Sequence, residues 1–355
     1  PTASDNVEPK CQETFTPKLI RTPSGKQVLD FGQNIAGIVA FRVKGEKGQK
    51  LRLTFGEILD ERGEFTQENF MQYKPKKEYG KLVEMIVCMN AITKTKIKTV
   101  PTPLQKLEFI CSGREDTYRM RFAVMGFRYA LVETDIAIDP QDFRGVAVYS
   151  DMERTGTFAC SNELVNRLFL NALWSMKGNY LDVPTDCPTR ERMAWTGDAQ
   201  IFFKTAAYCM DVASFMRKWM RDIRDDQFAS GKSSAVVPYQ GCSQLYDNTG
   251  ASVGFGDALV LIPYRYWKIY NDDAFLRENY GMMRAYAMFM IKNAGPRKPK
   301  EYQGKPWAKY LYEKGVHLGE WLEPDRQSED VLRDNIMKGV PEVTTPYFYY
   351  SSKLL

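Results

Sequence analysis

The segment Pro184-Thr185-Asp186-Cys187-Pro188-Thr189-Arg190-Glu191-Arg192-Met193-Ala194-Trp195-Thr196-Gly197-Asp198 gathers three carboxylates, two guanidiniums and an indole. Two prolines and a glycine punctuate it, which marks loop backbone rather than helix or strand. Directly after it, Ala199-Gln200-Ile201-Phe202-Phe203-Lys204-Thr205-Ala206-Ala207-Tyr208 is apolar and helical in pattern. The acidic loop is therefore expected at the mouth of a buried helix. The chain changes character on either side of it.

Upstream, the pattern is that of strands. Lys50-Leu51-Arg52-Leu53-Thr54-Phe55 alternates strictly, and Lys26–Phe31, Gly37–Val43, Tyr118–Phe122 and Tyr129–Glu133 do so roughly. Gly45-Glu46-Lys47-Gly48 reads as a turn. Short strands with regular turns predict an antiparallel β-sandwich over residues 1–150. Residues 66–106 interrupt this rhythm and read as a surface insertion. From residue 151 onward the period becomes helical. Asn162 fits an N-cap for Leu164, Val165, Leu168, Phe169 and Ala172. Three further apolar stripes follow: Val212, Phe215, Met216, Trp219, Met220 and Ile223; then Leu259, Ile262, Pro263, Tyr266 and Ile269; then Phe275, Tyr280, Met283, Tyr286, Met290 and Ile291. All four stripes are expected to pack into a core. Successive amphipathic helices joined by long loops predict an α/α toroid over residues 151–355.

A length of 355 residues suits two domains of ~150 residues or more each. The net charge of +5 is diffuse apart from lysines clustered between 74 and 106. That cluster lacks interleaved aromatics, so no nucleic-acid partner is expected. No apolar run is long enough to span a membrane. Cys11, Cys88, Cys111, Cys160, Cys187, Cys209 and Cys242 lack metal-ligand spacing, and His317 is the one histidine. No metal site and no cofactor are expected. Dispersed cysteines suit a reducing compartment and a cytoplasmic protein, or a periplasmic or secreted one if a leader was removed. Homo-oligomerisation stays open. The chain starts without Met and stops inside the apolar Tyr347–Leu355 stretch, so it is expected to be a fragment of a larger protein.

Acid–arginine runs are often solvated ion pairs. Beside an apolar helix, the same residues compose a pocket for a polyol. Carboxylates accept from sugar hydroxyls, and an aromatic face covers the ring's C–H surface. Cleavage of a glycosidic bond uses two carboxyl groups, one of them a proton donor.

The stretch Asp186–Asp198 resembles the signature of the bacterial α-L-rhamnosidases, glycoside hydrolase family 78. Further ordered motifs carry the resemblance: Val28-Leu29-Asp30-Phe31-Gly32-Gln33-Asn34-Ile35-Ala36-Gly37, Phe55-Gly56-Glu57-Ile58-Leu59-Asp60, Met125-Gly126-Phe127-Arg128-Tyr129, Gly254-Phe255-Gly256-Asp257-Ala258 and Gly319-Glu320-Trp321-Leu322. The resemblance implies an (α/α)6 barrel, of which about half is present, behind the β-sandwich. It implies inverting hydrolysis that releases terminal α-L-rhamnose from glycosides or oligosaccharides. Two other readings stay open: a different inverting (α/α)6 glycosidase or lyase, and a non-catalytic carbohydrate-binding protein.

By the resemblance, Glu191 is the general acid. A general acid has to hold its proton near neutral pH. Arginines in contact would draw that proton off, so Arg190 and Arg192 are expected to point toward Asp186 or Asp198. Asp186 and Asp198 would accept from substrate hydroxyls and stabilise a cationic transition state. Asp198 equally fits the N-cap of a helix starting at Ala199. Arg190 would orient carboxylates or bind a hydroxyl. Trp195 and Trp321 would offer ring faces, or pack in the core. Asp257 fits a sugar contact beside Phe255, which stands where the family usually has Trp. Glu320 stands for a usual Asp, and Ala194 for a usual Gly. His317 would bond substrate or brace its loop. The base that activates water is expected after residue 355.

Overall fold

The computed structural model describes residues 6–70, 105–241, 251–295, 304–320, 325, 331, 334–335 and 339–355. The lysine cluster from Lys74 to Lys98, the Met85–Met89 segment, Cys88, Cys242 and Trp321 lie outside the described residues. The described chain forms two compact units, one of residues 7–70 with 105–192 and one from Met193 onward.

The first unit is built on β1 (Pro9–Phe15), β2 (Lys18–Arg21), β3 (Gln27–Lys44), β4 (Lys50–Gly56), β5 (Lys106–Ile110), β6 (Glu115–Arg119), β7 (Met125–Glu133) and β8 (Phe143–Ser150). They make one antiparallel sheet in the order β1-β8-β3-β7-β4-β5, with β2 and β6 also on β3. The alternating short runs of the sequence thus join into a single curled sheet. The reason is β3, which two sequence runs share. Its start pairs with β2 and β7, and its end pairs with β8 and β6. A register shift between Asp30 and Ile35 lets it turn between the two sets of neighbours.

Strands β4 and β8 bury alternate residues, whereas β3 and β7 are buried on both faces. Val28, Leu29, Val39, Leu51, Leu53, Phe55 and Phe127 are fully buried. Phe127 lies 5.3 Å from Phe31 edge-to-face and 4.9 Å from Phe55, contacts that add about 1 kcal/mol each beyond their buried area. The bulge is pinned by charge. Asp30 Oδ1 accepts from the Gly32 N–H at 2.8 Å, and Arg128 grips the carboxylate through Nε and Nη2 at 2.8 and 2.9 Å. Burial raises the Asp30 pKa, but the Arg128 and Gly32 bonds outweigh it and leave it below the ordinary carboxyl value. Two of the sequence landmarks are therefore two halves of one ion pair.

Helix α1 (Glu163–Asn179) follows the sheet, and Asn162 caps it by accepting from Leu164 and Val165. It leans on β3 and β8 through Leu173 and Met176, its two buried residues. The expected core stripe is not buried. Leu164 is 81% and Leu168 66% exposed. The stripe's continuation toward the C-terminus, Leu173 and Met176, is what is buried, while its first turns stay exposed.

The second unit carries α2 (Thr196–Cys209), α3 (Ala213–Asp225), α4 (Ala258–Tyr270), α5 (Asp273–Asn293) and α6 (Pro341–Leu354). In α3 the predicted stripe is realised in full. Phe215, Met216, Trp219, Met220 and Ile223 are completely buried, and Val212 precedes them. At roughly 2 kcal/mol per side chain this face dominates the helix's stability. Trp219 Nε1 donates to the Val237 carbonyl at 2.9 Å, so its polar atom is satisfied. Asn271, left-handed at φ 54°, ends α4, and Asp272 starts α5 by accepting from the Phe275 N–H. In α5, Phe275, Met283, Tyr286 and Met290 are buried as expected. Tyr280 and Ile291 are exposed instead, and Met282, Ala287 and Phe289 take the inner positions. No described helix is long and apolar enough to cross a membrane.

Candidate active site

The acid loop belongs to the sheet's unit up to Arg192. Its entry is fastened to the end of α1: the Thr185 N–H donates to the Asn179 carbonyl at 2.8 Å, and its hydroxyl donates to Asn179 Oδ1 at 3.1 Å. Its middle lies on β7. A Cβ on Gly126 would fall 2.4 Å from the Thr189 methyl and 2.9 Å from the Pro188 carbonyl oxygen. Only glycine admits the loop at this distance. Its exit is held by Arg192, whose Nη1 donates to the Val124 carbonyl at 3.0 Å.

Within this frame Asp186 and Glu191 are both half-buried. The flanking arginines do not both turn away, as the sequence suggested. Arg190 Nη2 donates to Glu191 Oε1 at 2.9 Å, while Arg192 reaches Val124. Adjacent side chains can always fold back on one another, and spacing does not forbid it. The sequence offered no reason to single out Cys187. Its sulfur accepts from the Glu191 N–H at 3.2 Å. Burial first, and then a hydrogen bond with the Asp186 carboxylate, push its thiol above the ordinary value.

In the helical unit, Ala194-Trp195-Thr196 runs antiparallel to Ala235-Val236-Val237. The Thr196 N–H donates to Ala235 O at 2.9 Å, and the Val237 N–H to Ala194 O at 3.1 Å. Trp195 bridges Val236 and meets the Phe255 ring edge-to-face at 5.6 Å. A Cβ on Gly197 would lie 2.8 Å from the Phe255 ring, so glycine lets Phe255 seal the start of α2. Asp198 does not cap this helix. The N-cap residue is Trp195, and Asp198 is an exposed acid in the first turn, where the helix dipole favours it.

Asp257 departs from the expected sugar contact. It is fully buried, and its carboxylate accepts from Ser351 Oγ, from the Gly254 N–H at 2.7 Å and from the Tyr286 hydroxyl at 3.3 Å. Burial raises its pKa against the pull of these three donors. The same enclosure, and then the neighbouring carboxylate, raise the Tyr286 phenol. His317 is buried too. The Val253 N–H donates to its Nδ1 at 3.1 Å, its Nε2 finds no hydrogen-bond partner among the described residues, and burial lowers its pKa to about 4. Its ring meets Tyr312 edge-on at 6.0 Å. Glu320 is exposed. Asp186, Arg190 and Glu191 thus sit in one unit, and Trp195, Asp198, Phe255, Asp257, His317 and Glu320 in the other.

Two family models match the chain. The bacterial alpha-L-rhamnosidase 6 hairpin glycosidase domain covers residues 153–355, and the bacterial alpha-L-rhamnosidase concanavalin-like domain covers residues 20–84. An alpha-L-rhamnosidase of Formosa agariphila is 30% identical over 80% of this chain and 28% of its own length. One of Streptomyces avermitilis is 32% identical over 78% of this chain and 24% of its own. Among solved structures, the native rhamnosidase of Aspergillus terreus aligns with TM-score 0.78 at 28% identity, over 99% of this chain and 36% of that one. The Streptomyces avermitilis enzyme complexed with L-rhamnose aligns with TM-score 0.76 at 26% identity, over 99% and 29%. The chain therefore spans about a quarter to a third of the length of these relatives.

Proposed function

This chain belongs to the bacterial α-L-rhamnosidase family, and from that premise we propose that it serves the hydrolytic release of terminal α-L-rhamnose from glycosides with inversion at the anomeric carbon. Glu191 gives its proton to the glycosidic oxygen as the C–O bond breaks. Water attacks the opposite face of the sugar and yields its proton to a second carboxylate, which is not among the residues assigned here. Asp186 and Asp198 accept from sugar hydroxyls and stabilise the positive charge that develops on the ring. Trp195, with Phe255 and Trp321, supplies apolar surface for the sugar's C–H faces. His317 and Glu320 border the substrate on the later loop. Asp257, bonded to Gly254, Tyr286 and Ser351, braces the turn that carries Phe255.

The observation that carries this reading is the seating of the acid loop. Asp186 and Glu191 are half open, on backbone fastened at its entry, middle and exit. A carboxyl group that must meet a leaving oxygen gains from such fixed placement. In the free protein Arg190 occupies Glu191 Oε1. Proton delivery therefore requires Arg190 to exchange this contact for one with substrate or Asp186. The helical unit is read as part of an (α/α)6 barrel, in keeping with the matched six-hairpin domain, and the sheet as the core of a β-sandwich. The domain boundary near residue 151 follows the start of that match at 153. By packing, residues 151–192 keep with the sheet.

The test is Glu191→Gln in the enzyme that carries this chain. On a natural rhamnoside, kcat is expected to fall by about 10²–10⁴-fold, the usual contribution of a placed general acid. A dinitrophenyl rhamnoside, whose leaving group needs no proton, is expected to lose far less. An unchanged kcat on the natural rhamnoside would overturn the assignment.

A further inference from the structure

A cleft of about 300 Å³ lies between the β3 bulge and helix α1, lined wholly from the sheet's unit. Three stretches distant in sequence meet there. On α1, Asn171, Trp174, Ser175 and Gly178 follow the three-and-four spacing that puts residues on one helix face. On β3, Gln33 and Asn34 fall inside the register shift between Asp30 and Ile35, so the bulge turns them to the cleft instead of pairing them with β7. After β4, Glu57 joins them. Its Oε1 accepts from Asn34 Nδ2 at 3.1 Å and its Oε2 from Asn69 Nδ2 at 2.9 Å.

The glycine of this set has no structural duty. Glycine weakens a helix relative to alanine. A Cβ on Gly178 would meet nothing nearer than Pro188 Cγ at 3.9 Å, an ordinary contact, and its backbone is not left-handed. What the missing side chain provides is open space between α1 and Pro188, which also lines the cleft.

We propose that this cleft binds a neutral pyranose sugar, held by the amides of Gln33, Asn34 and Asn171, the Ser175 hydroxyl and the Glu57 carboxylate beside the Trp174 ring. None of these side chains has a role in the reaction proposed above, so the site stands or falls by itself.

The ligand class follows from the chemistry of the lining. Amides and a hydroxyl both donate and accept, as sugar hydroxyls do. Each Glu57 oxygen holds one amide and keeps a second lone pair for a hydroxyl. No described lining residue is basic, so an anion finds no countercharge. The one carboxylate is already shared by two amides, which does not suit a metal ion. Trp174 is half-buried and adds apolar surface for C–H groups. Phe15 meets its ring edge-on at 5.7 Å, and Lys177 Nζ lies 4.4 Å from its centre, so the ring is held in place. The volume is at the small end for ligand sites and suits one sugar ring.

The test titrates the enzyme that carries this chain, by calorimetry, with D-glucose and D-galactose as neutral pyranoses and D-glucuronate as a charged one. At least one neutral sugar is expected to bind, and glucuronate to bind at least about tenfold more weakly. Gly178→Leu, which fills the cleft from a helical position with room for a side chain, should weaken the neutral sugar by about tenfold or more. Asn171→Ala removes one exposed amide and should weaken it about fivefold. If Gly178→Leu does not fold, Asn171→Ala decides alone. No binding by the parent, glucuronate bound as tightly as the neutral sugars, or variants that bind like the parent would each overturn the proposal. Kinetics then separate two sources of the sugar. If Gly178→Leu raises the KM for a rhamnosyl-glucose disaccharide about tenfold relative to that for dinitrophenyl rhamnoside, the cleft takes the substrate's own leaving sugar. An unchanged ratio assigns it to a separate sugar. A parent enzyme without rhamnosidase activity would sink the functional reading and leave the binding result intact.

Discussion

The acid loop around Glu191 and the Gly254–Asp257 turn look alike in sequence. Each sets a carboxylate among glycine or proline, an aromatic and the start of a helix. In the structure they part company. Asp186 and Glu191 are half open, and Glu191 meets its near neighbours Arg190 and Cys187. Asp257 is sealed, and two of its three donors come from distant helices, Tyr286 on α5 and Ser351 on α6. The first arrangement leaves both carboxylates partly open to solvent. The second consumes it to tie α4, α5 and α6 together. Burial and partner distance, more than residue type, separate an acid open to solvent from an acid that builds the fold.

The contrast breaks most sharply on activity. Glu191→Gln should lose about 10²–10⁴-fold in kcat with an unchanged denaturation midpoint, because a half-exposed side chain supports little packing. Steady-state kinetics and urea unfolding on the same samples read both halves. Asp257→Ala should do the reverse and cost about 3 kcal/mol of stability, by leaving the Ser351 and Tyr286 hydroxyls and the Gly254 N–H buried without an acceptor. A stability loss below about 0.5 kcal/mol would show that Asp257 is not a structural acid.

His317 sharpens the same contrast through pH. Its folded pKa, about 4, lies below the ordinary value of 6.5. Between these values the unfolded chain binds the extra proton, so stability contributed by the neutral ring is present above pH 6.5 and is lost as pH falls toward 4. The loss should reach at most roughly 3 kcal/mol. His317→Gln should flatten that part of the pH–stability curve, measured by urea midpoints. A curve of unchanged slope in the variant would refute the assignment. Asp257 acts in the opposite sense. With its folded pKa raised, its contribution is full below the ordinary carboxyl value and is lost as pH rises through the folded one. The smallest expected effect is at the loop's seat. Gly126→Ala forces a methyl onto Thr189 and Pro188 and should cost about 2 kcal/mol. It should also lower kcat more than KM, and an activity indistinguishable from the parent would show that the seat does not matter.

Much of this was legible in the sequence. Alternation at Lys50–Phe55 and the stripe of α3 each fixed which side chains are buried, because both elements bury one whole face. The unity of the sheet was not legible. Two alternating runs, Lys26–Phe31 and Gly37–Val43, fall on one strand that passes through a bulge. The stripe of α1 showed a face but not what it meets. The closure around Asp257 was out of reach, since Tyr286 and Ser351 lie 29 and 94 residues away and carry no motif. The Arg190–Glu191 pair was missed for the opposite reason, as its partners are too close in the chain for spacing to constrain them.

The glycine at 126 also bears on how members of this family are recombined. A splice placed where the family's helical domain begins, at residue 153, would hand the Glu191 loop to a foreign sheet whose surface must still offer a bare backbone beneath Pro188 and Thr189. A crossover after Arg192 would keep sheet, α1 and acid loop as one heritable block. Chimeras of the second kind should retain a correctly shaped loop, and those of the first kind should retain it only when the donor sheet carries glycine at the matching position.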